Sequence, residues 1–433
     1  MSFFDIEKFI HENEIDTIEI GFGDINGVLR GKSIPARYFL KNIHQGFEFS
    51  NAPFAWDIQC GTYDDLEEGD FSSELSDIIA MPILSTLKKV PWREHTAFLL
   101  CEIRNSQREV LEVDPREVLK RVVARANKLG YRPIIGLELE FYLLDENKEP
   151  LFNDTQCYSL YRGGEKNYVL REMSKALEQQ GIHIESFHVE YGASQFEVVT
   201  ECGDAIDIAD QLLLIKHTIK EVARSHGLIA TFMPKPWSKE QGSELHVHQS
   251  LWDLNQQVNY FEKDLEIMDK YLAGLLSYVR EMTVLGAPSI NAYKRFTSKA
   301  IMPRQVTAAE DNRTVAVRSL IARGNASRIE YRLGSSDANP YLIIAGCLAA
   351  GINGLENKLF ISKNTEGQSY VKRAALVPLS LEEALNLFES SRIANEYFGG
   401  RFVKCYTTLG RREVELFRGV ITEWERARYL DSV

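Results

Sequence analysis

Residues 323–341 read RGNASRIEYRLGSSDANPY, and the fold turns on how this stretch is read. Arg328, Glu330 and Arg332 alternate with Ile329 and Tyr331. A period of two marks a strand whose faces see different surroundings, here one apolar and one carrying plus, minus, plus. Taken alone, RIEYR reads first as a solvated edge strand. Three other segments share its habit. GLELEFYLL (136–144) sets Glu138 and Glu140 on one face, and ELHVHQSL (244–251) does the same for His246 and His248. HVEYGASQFEVV (188–199) carries Glu190 and Glu197 on either side of a turn containing Gly192. If these strands meet, they bring five carboxylates and a histidine into one cavity with arginines. Like charges at that density need cations to neutralise them, so the pattern implies bound metal.

The totals bound the rest. At 433 residues the chain has room for two domains, and 44% hydrophobic with 26% charged residues is ordinary for a soluble globular protein. A net charge of −12 with no long Lys/Arg run argues against a nucleic-acid partner. The six cysteines form no CxxC pair, so a zinc ribbon or thioredoxin-like motif has no support. The charged N-terminus lacks the apolar core of a signal peptide, and no apolar run approaches the ~20 residues that span a membrane. A cytoplasmic protein is expected.

In chain order, 4–12 reads as an amphipathic helix, 15–22 as a strand, and Asn26-Gly27 as a hairpin turn. GFGDIN and GVLRGKS come near to a dinucleotide fingerprint and a P-loop. The first lacks its third glycine; the second is one residue short and runs into Ile34-Pro35, so both read as hairpin chemistry. Short strands and an acidic run (64–70) follow. Asp114-Pro115 then opens a helix, with Asp as N-cap and Pro at the first helical position. The domain boundary is placed before it, giving a small N-terminal α+β unit (1–106) and a larger C-terminal domain (107–433). Helices are expected over 166–180, 205–226 and 263–283, and Asn339-Pro340 caps a very apolar one. Ser380 with Glu383 reads as a capping box.

Carboxylates with a single imidazole suit Mg²⁺ or Mn²⁺ better than structural zinc. Two such ions with arginines nearby form a clamp for phosphoryl transfer, and Arg313 and Arg318 add candidate phosphate ligands. Spacing alone thus suggests a metal-dependent, nucleotide-using enzyme with neither P-loop nor kinase signature.

The ordered motifs resemble the glutamine synthetase superfamily. They are ExE at 138–140, HVEYGASQFE at 188–197, TFMPKP at 231–236, HVHQS at 246–250, NAYKRF at 291–296, NRTVAVR at 312–318 and RIEYRLGSSDANPYL at 328–342, with DINGVLRGKSIP near the start. The resemblance implies an α+β protein: an N-terminal β-grasp domain and a catalytic domain built as an incomplete antiparallel barrel with helices outside. It implies stacked rings, commonly dodecamers, with active sites between subunits. The implied chemistry is ATP-dependent activation of glutamate as γ-glutamyl phosphate, followed by attack of ammonia or an amine. By position, Glu140, Glu190 and Glu197 would hold one metal and order glutamate, and Glu138, His246 and Glu330 a second one on the ATP phosphates. Arg295 and Gly242 would bind the α-carboxylate and amino end of glutamate. Arg332 would face its γ-carboxylate, and Arg313 and Arg318 would stabilise the phosphoryl group. Glu185, His248, Ser250 and Arg328 would line the nucleotide site.

Departures refine this expectation. Ser50 of GFEFSNAPF stands near the place of an ammonium-binding aspartate, and Ile301 where a flap glutamate would fall. Without those carboxylates the site suits a bulkier, partly apolar amine. RLGSSDANPYL also looks like the branch that makes γ-glutamyl amides of polyamines and other amines. Gln241 and Glu244 replace the Asn and Gly of NGSGMH, Ala308-Ala309 replaces Trp-Gly, and Phe360 stands near a tyrosine that some bacterial members adenylylate. An amine ligase is favoured over an ammonia-using enzyme or a silent ring-forming relative.

Overall fold

The computed structural model describes residues 3–61, 76–154, 156–165, 167–296, 302–360 and 374–432. The acidic run at 64–70 and Ile301 lie outside the described residues.

The N-terminal sheet is formed by β1 (Thr17–Gly23), β2 (Leu29–Pro35), β3 (Phe47–Ser50), β4 (Asp77–Pro82), β5 (Lys88–Lys89) and β6 (Thr96–Arg104). Its order is β2-β1-β6-β4-β3 with β5 on β6, and β1 runs parallel to β6. The β1–β2 turn follows its sequence signal. Gly27 takes φ 74°, and the buried Asp24 carboxylate accepts from the Asn26 and Val28 N–H groups at 2.9 Å each. GKSIP lies within β2, so the near-P-loop is strand, as read.

The larger sheet comprises β7 (Arg132–Leu144), β8 (Ile184–Val189), β9 (Gln195–Thr200), β10 (Gly203–Asp204), β11 (Ile229–Thr231), β12 (Glu244–Trp252), β13 (Ala308–Glu310), β14 (Val317–Leu320) and β15 (Arg328–Ser335). The order is β13-β14-β15-β12-β7-β9-β8, antiparallel except for β13–β14, with β10 and β11 also on β7. Among the described residues β13 and β8 do not pair, which leaves the barrel incomplete. The alternation seen in sequence separates two faces. Leu137, Leu139, Leu245, Val247, Ile329 and Leu333 are fully buried on one, where helices 115–128 and 205–225 pack against β7 and helix 265–286 against β15. The charged residues line the other. RIEYR is therefore no solvated edge: β15 lies between β14 and β12.

Helix 340–356 starts as expected, the Asn339 side chain accepting from the Tyr341 N–H at 3.0 Å. The same side chain donates to Asp24 O at 3.0 Å, tying the first hairpin to the start of this buried helix. The capping box at Ser380 is only half formed. Ser380 accepts from the Glu383 N–H, but the Glu383 carboxylate takes the Leu379 N–H and pairs with Arg280.

Asp114 caps helix 115–128 by accepting from the Arg116 N–H at 3.1 Å. Burial pushes its carboxyl up to about 7 despite Arg116 and Lys120 beside it. The folded value lies above the unfolded one, so this group favours the fold fully below about pH 4 and loses that contribution as pH rises through about 7. Asp114→Asn keeps the cap but does not titrate. Its stability relative to the parent should rise between pH 5 and pH 8 in urea unfolding; a constant difference would refute the buried-acid assignment.

Candidate active site

The charged face gathers side chains whose strands are neighbours only in the fold. His246 on β12 lies opposite Glu138 on β7, Glu140 opposite Glu197 on β9, and His248 opposite Glu330 on β15. The Glu138 carboxylate bridges two imidazoles, 2.9 Å from His246 Nδ1 and 2.8 Å from His248 Nε2. Burial favours its neutral form, but the two histidines outweigh that and hold the carboxyl well below its usual range. Glu330 is 1% exposed and pairs with Arg318 at 3.1 Å and with Arg332. Against burial, Arg332, His246 and His248 draw it down to about 2.

The other half of the site is short of positive charge. Glu140 accepts from Gln195 Nε2 at 2.8 Å and from the Glu244 N–H at 2.9 Å. Burial, then the charges of Glu244, Glu190 and Glu197, push its carboxyl well above the normal range. Glu197 is pushed up to about 8 by burial and by Glu138 and Glu190, which outweigh His246 and His188. His188 Nε2 sits between these acids, 3.0 Å from Glu190 and 3.2 Å from Glu197.

This donor set fits hard divalent cations. Four groups of three side chains bring one ligand atom each within 4.8 Å: Glu138–His248–Glu330, Glu138–Glu197–His246, Glu140–Glu244–His246 and His188–Glu190–Glu197. Oxygen-rich sets with an occasional imidazole suit Mg²⁺ or Mn²⁺, and two raised carboxyls are what such a charge would relieve. Nearby, Arg318 Nε and Arg332 Nε are buried without an acceptor among the described residues. Unmet guanidinium donors beside a cation cluster suit an incoming phosphate or carboxylate.

Residues 112–429 match the family described as "Glutamine synthetase, catalytic domain". The chain belongs to the glutamine synthetase family. It is 36% identical to "Glutamate--isopropylamine ligase" of a Pseudomonas species, over 99% of this chain and 98% of that protein. It is 34% identical to "Type-1 glutamine synthetase 2" of Dictyostelium discoideum, over 96% and 84%. It is 31% identical to "Gamma-glutamylethanolamide synthetase GlnA4" of Streptomyces coelicolor, over 99% and 96%. The solved structure "Apo GmaS without ligand" superposes with a TM-score of 0.88 at 30% identity, covering 98% of each chain.

Within this glutamine synthetase fold, Glu138, Glu140, Glu190, Glu197, His246 and Glu330 converge, with Arg318 and Arg332 beside them. Gly242 and Arg295 form one unit, since a Cβ on Gly242 would lie 2.7 Å from Arg295 Cγ. Arg295 is 1% exposed and donates to the carbonyls of Ala292, Leu333 and Gly334. Arg328 Nε donates to His248 Nδ1 at 3.0 Å, and buried Ser250 accepts from Trp252 Nε1. Glu185 and Arg313 are exposed, and Glu185 lies outside the four ligand groups. Ser50 is exposed at the end of β3. Sequence reasoning overlooked His188 and Gln195, although His188 stands two residues before Glu190, which it contacts, and Gln195 lies in the same quoted motif and donates to Glu140 on the neighbouring strand.

Proposed function

We propose that this glutamine synthetase-family enzyme ligates glutamate, through its γ-carboxylate, to a polyamine or small alkylamine at the expense of ATP. A γ-glutamyl phosphate intermediate would form, and ADP and phosphate would leave. The reading is carried by the convergence of six metal-type ligands with two buried arginines whose Nε atoms meet no acceptor among the described residues. Divalent ions held there would neutralise phosphate charge and polarise the transferring group. Glu140, Glu190 and Glu197 would hold one ion; Glu138, His246 and Glu330 would hold the other. The Gly242–Arg295 unit would receive the α-end of glutamate and Arg332 its γ-carboxylate. Arg313 and Arg318 would steady the phosphoryl group, and Glu185, His248, Ser250 and Arg328 would line the nucleotide.

The amine preference is supported by the relatives named for isopropylamine and ethanolamide products, and by Ser50 where an ammonium-binding acid is expected. The proposed organisation is a β-grasp domain (1–106) and a catalytic domain (107–433), assembled as a dodecamer of stacked rings. Exposed Leu416, Val420, Ile421, Trp424 and Leu430 near the C-terminus support self-association. Among the described residues no helix is long and apolar enough to cross a membrane, which is compatible with the proposed cytoplasmic location.

The test is ADP release with glutamate, ATP and Mg²⁺ across ammonium, isopropylamine, ethanolamine and putrescine. At least one amine should exceed ammonium in kcat/KM by roughly tenfold or more, a difference of about 1.4 kcal/mol in transition-state binding. Preference for ammonium would make the protein a glutamine synthetase in activity as well as family, and no turnover with any acceptor would mark a silent relative.

A further inference from the structure

Glu244 stands where the family motif NGSGMH, matched here by QGSELH at 241–246, has a glycine. Its carboxylate Oε2 lies 2.7 Å from His246 Nε2. On the opposite side of the ring, Nδ1 lies 2.9 Å from Glu138 and 3.8 Å from Glu330. We propose that Glu244 is a positioning residue that holds the His246 ring with Nδ1 presented to Glu138 and Glu330. The proposal rests on reading those three residues as a metal-ligand set.

The chemistry is that of imidazole. A ring nitrogen binds a cation only through its free lone pair, so the other nitrogen then carries the N–H and needs an acceptor. In a site where His246 is 5% exposed, water is a poor candidate for that acceptor. Glu244 supplies it, and it is fixed on its own account. Its N–H donates to Glu140 at 2.9 Å, its Cα is paired with Ser335 on β15, and the next residue, Leu245, pairs with Leu139 on β7. The carboxylate is thus anchored at both neighbouring strands. A carboxylate behind a ligating imidazole fixes its tautomer and orientation and strengthens it as a donor. A glycine offers no such group, so the substitution adds a support that the motif lacks.

The test uses Mn²⁺ binding to the full chain without nucleotide, followed by electron paramagnetic resonance and calorimetry. Glu244→Ala should weaken binding at this site by roughly 10–100-fold. Glu244→Gln, whose oxygen still accepts from Nε2, should stay within about threefold of the parent. In a His246→Ala background, Glu244→Ala should change affinity by less than about twofold, because the residue acts through the ring. Unaltered affinity in Glu244→Ala, equal losses in the Gln and Ala variants, or the same loss with and without His246 would overturn the proposal. A parent that binds no Mn²⁺ would instead remove the ligand reading on which it rests.

Discussion

Glu330→Ala is expected to lower ATP-dependent turnover by roughly 1,000-fold or more while the protein stays folded. The side chain is 1% exposed and shares its carboxylate between Arg318 and Arg332, with His246 at 3.8 Å. Removing it leaves Arg332 without its ion-pair partner and Arg318 with Asp311 alone, so the charge that positions both guanidinium groups is lost. A 1,000-fold loss corresponds to about 4 kcal/mol of transition-state stabilisation, in the range seen when a charge-stabilising group is removed from a catalytic site. The proposed second metal loses a ligand as well. Steady-state ADP release together with Mn²⁺ titration of the same preparation separates the two effects. Turnover within tenfold of the parent would show that phosphoryl transfer does not pass through this cluster. Weakened Mn²⁺ binding with the fold retained by circular dichroism is the expected companion.

How much of this site could be read from the chain follows from what a strand writes into sequence. The two faces of β7, β12 and β15 were legible because alternation is local: Glu138/Glu140, His246/His248 and Glu330/Arg332 each sit two residues apart. Helix starts at Asp114-Pro115 and Asn339-Pro340 were legible for the same reason, since a cap is settled within three residues. Strand order was not. β12 pairs with β7 about a hundred residues before it and with β15 some eighty after, and no pattern within any one strand specifies its neighbours. Alternation therefore gave the charged faces but not their meeting; the family resemblance, carried by seven ordered motifs, supplied that. His188 lay on the same alternation as Glu190 and could have been found by extending the rule one step back. The half-formed box at Ser380 shows the limit of local signals, because Arg280, a hundred residues earlier, competes for the Glu383 carboxylate.

Gly354→Ala should destabilise the protein by about 3 kcal/mol or more, and Gly354→Val should leave little soluble chain, because overpacking a rigid interior is resisted by backbone as well as side chains. A Cβ placed on Gly354 would lie 2.1 Å from Lys270 O and 2.7 Å from Gly274 N, and one on Gly274 would lie 2.2 Å from Ala350 O. These contacts are all main chain, so no rotamer change relieves them. Helices 265–286 and 340–356 would have to part, and helix 265–286 packs on β15, the strand that carries Glu330. Gly400→Ala makes the control. Its Cβ would meet only Asn395 Oδ1 at 3.5 Å, and alanine in a helix gains up to about 1 kcal/mol over glycine, so the unfolding midpoint should hold or rise. Urea unfolding of the two alanine variants under one buffer makes the comparison. A Gly354→Ala midpoint equal to the parent's would mean that the two helices can separate without cost.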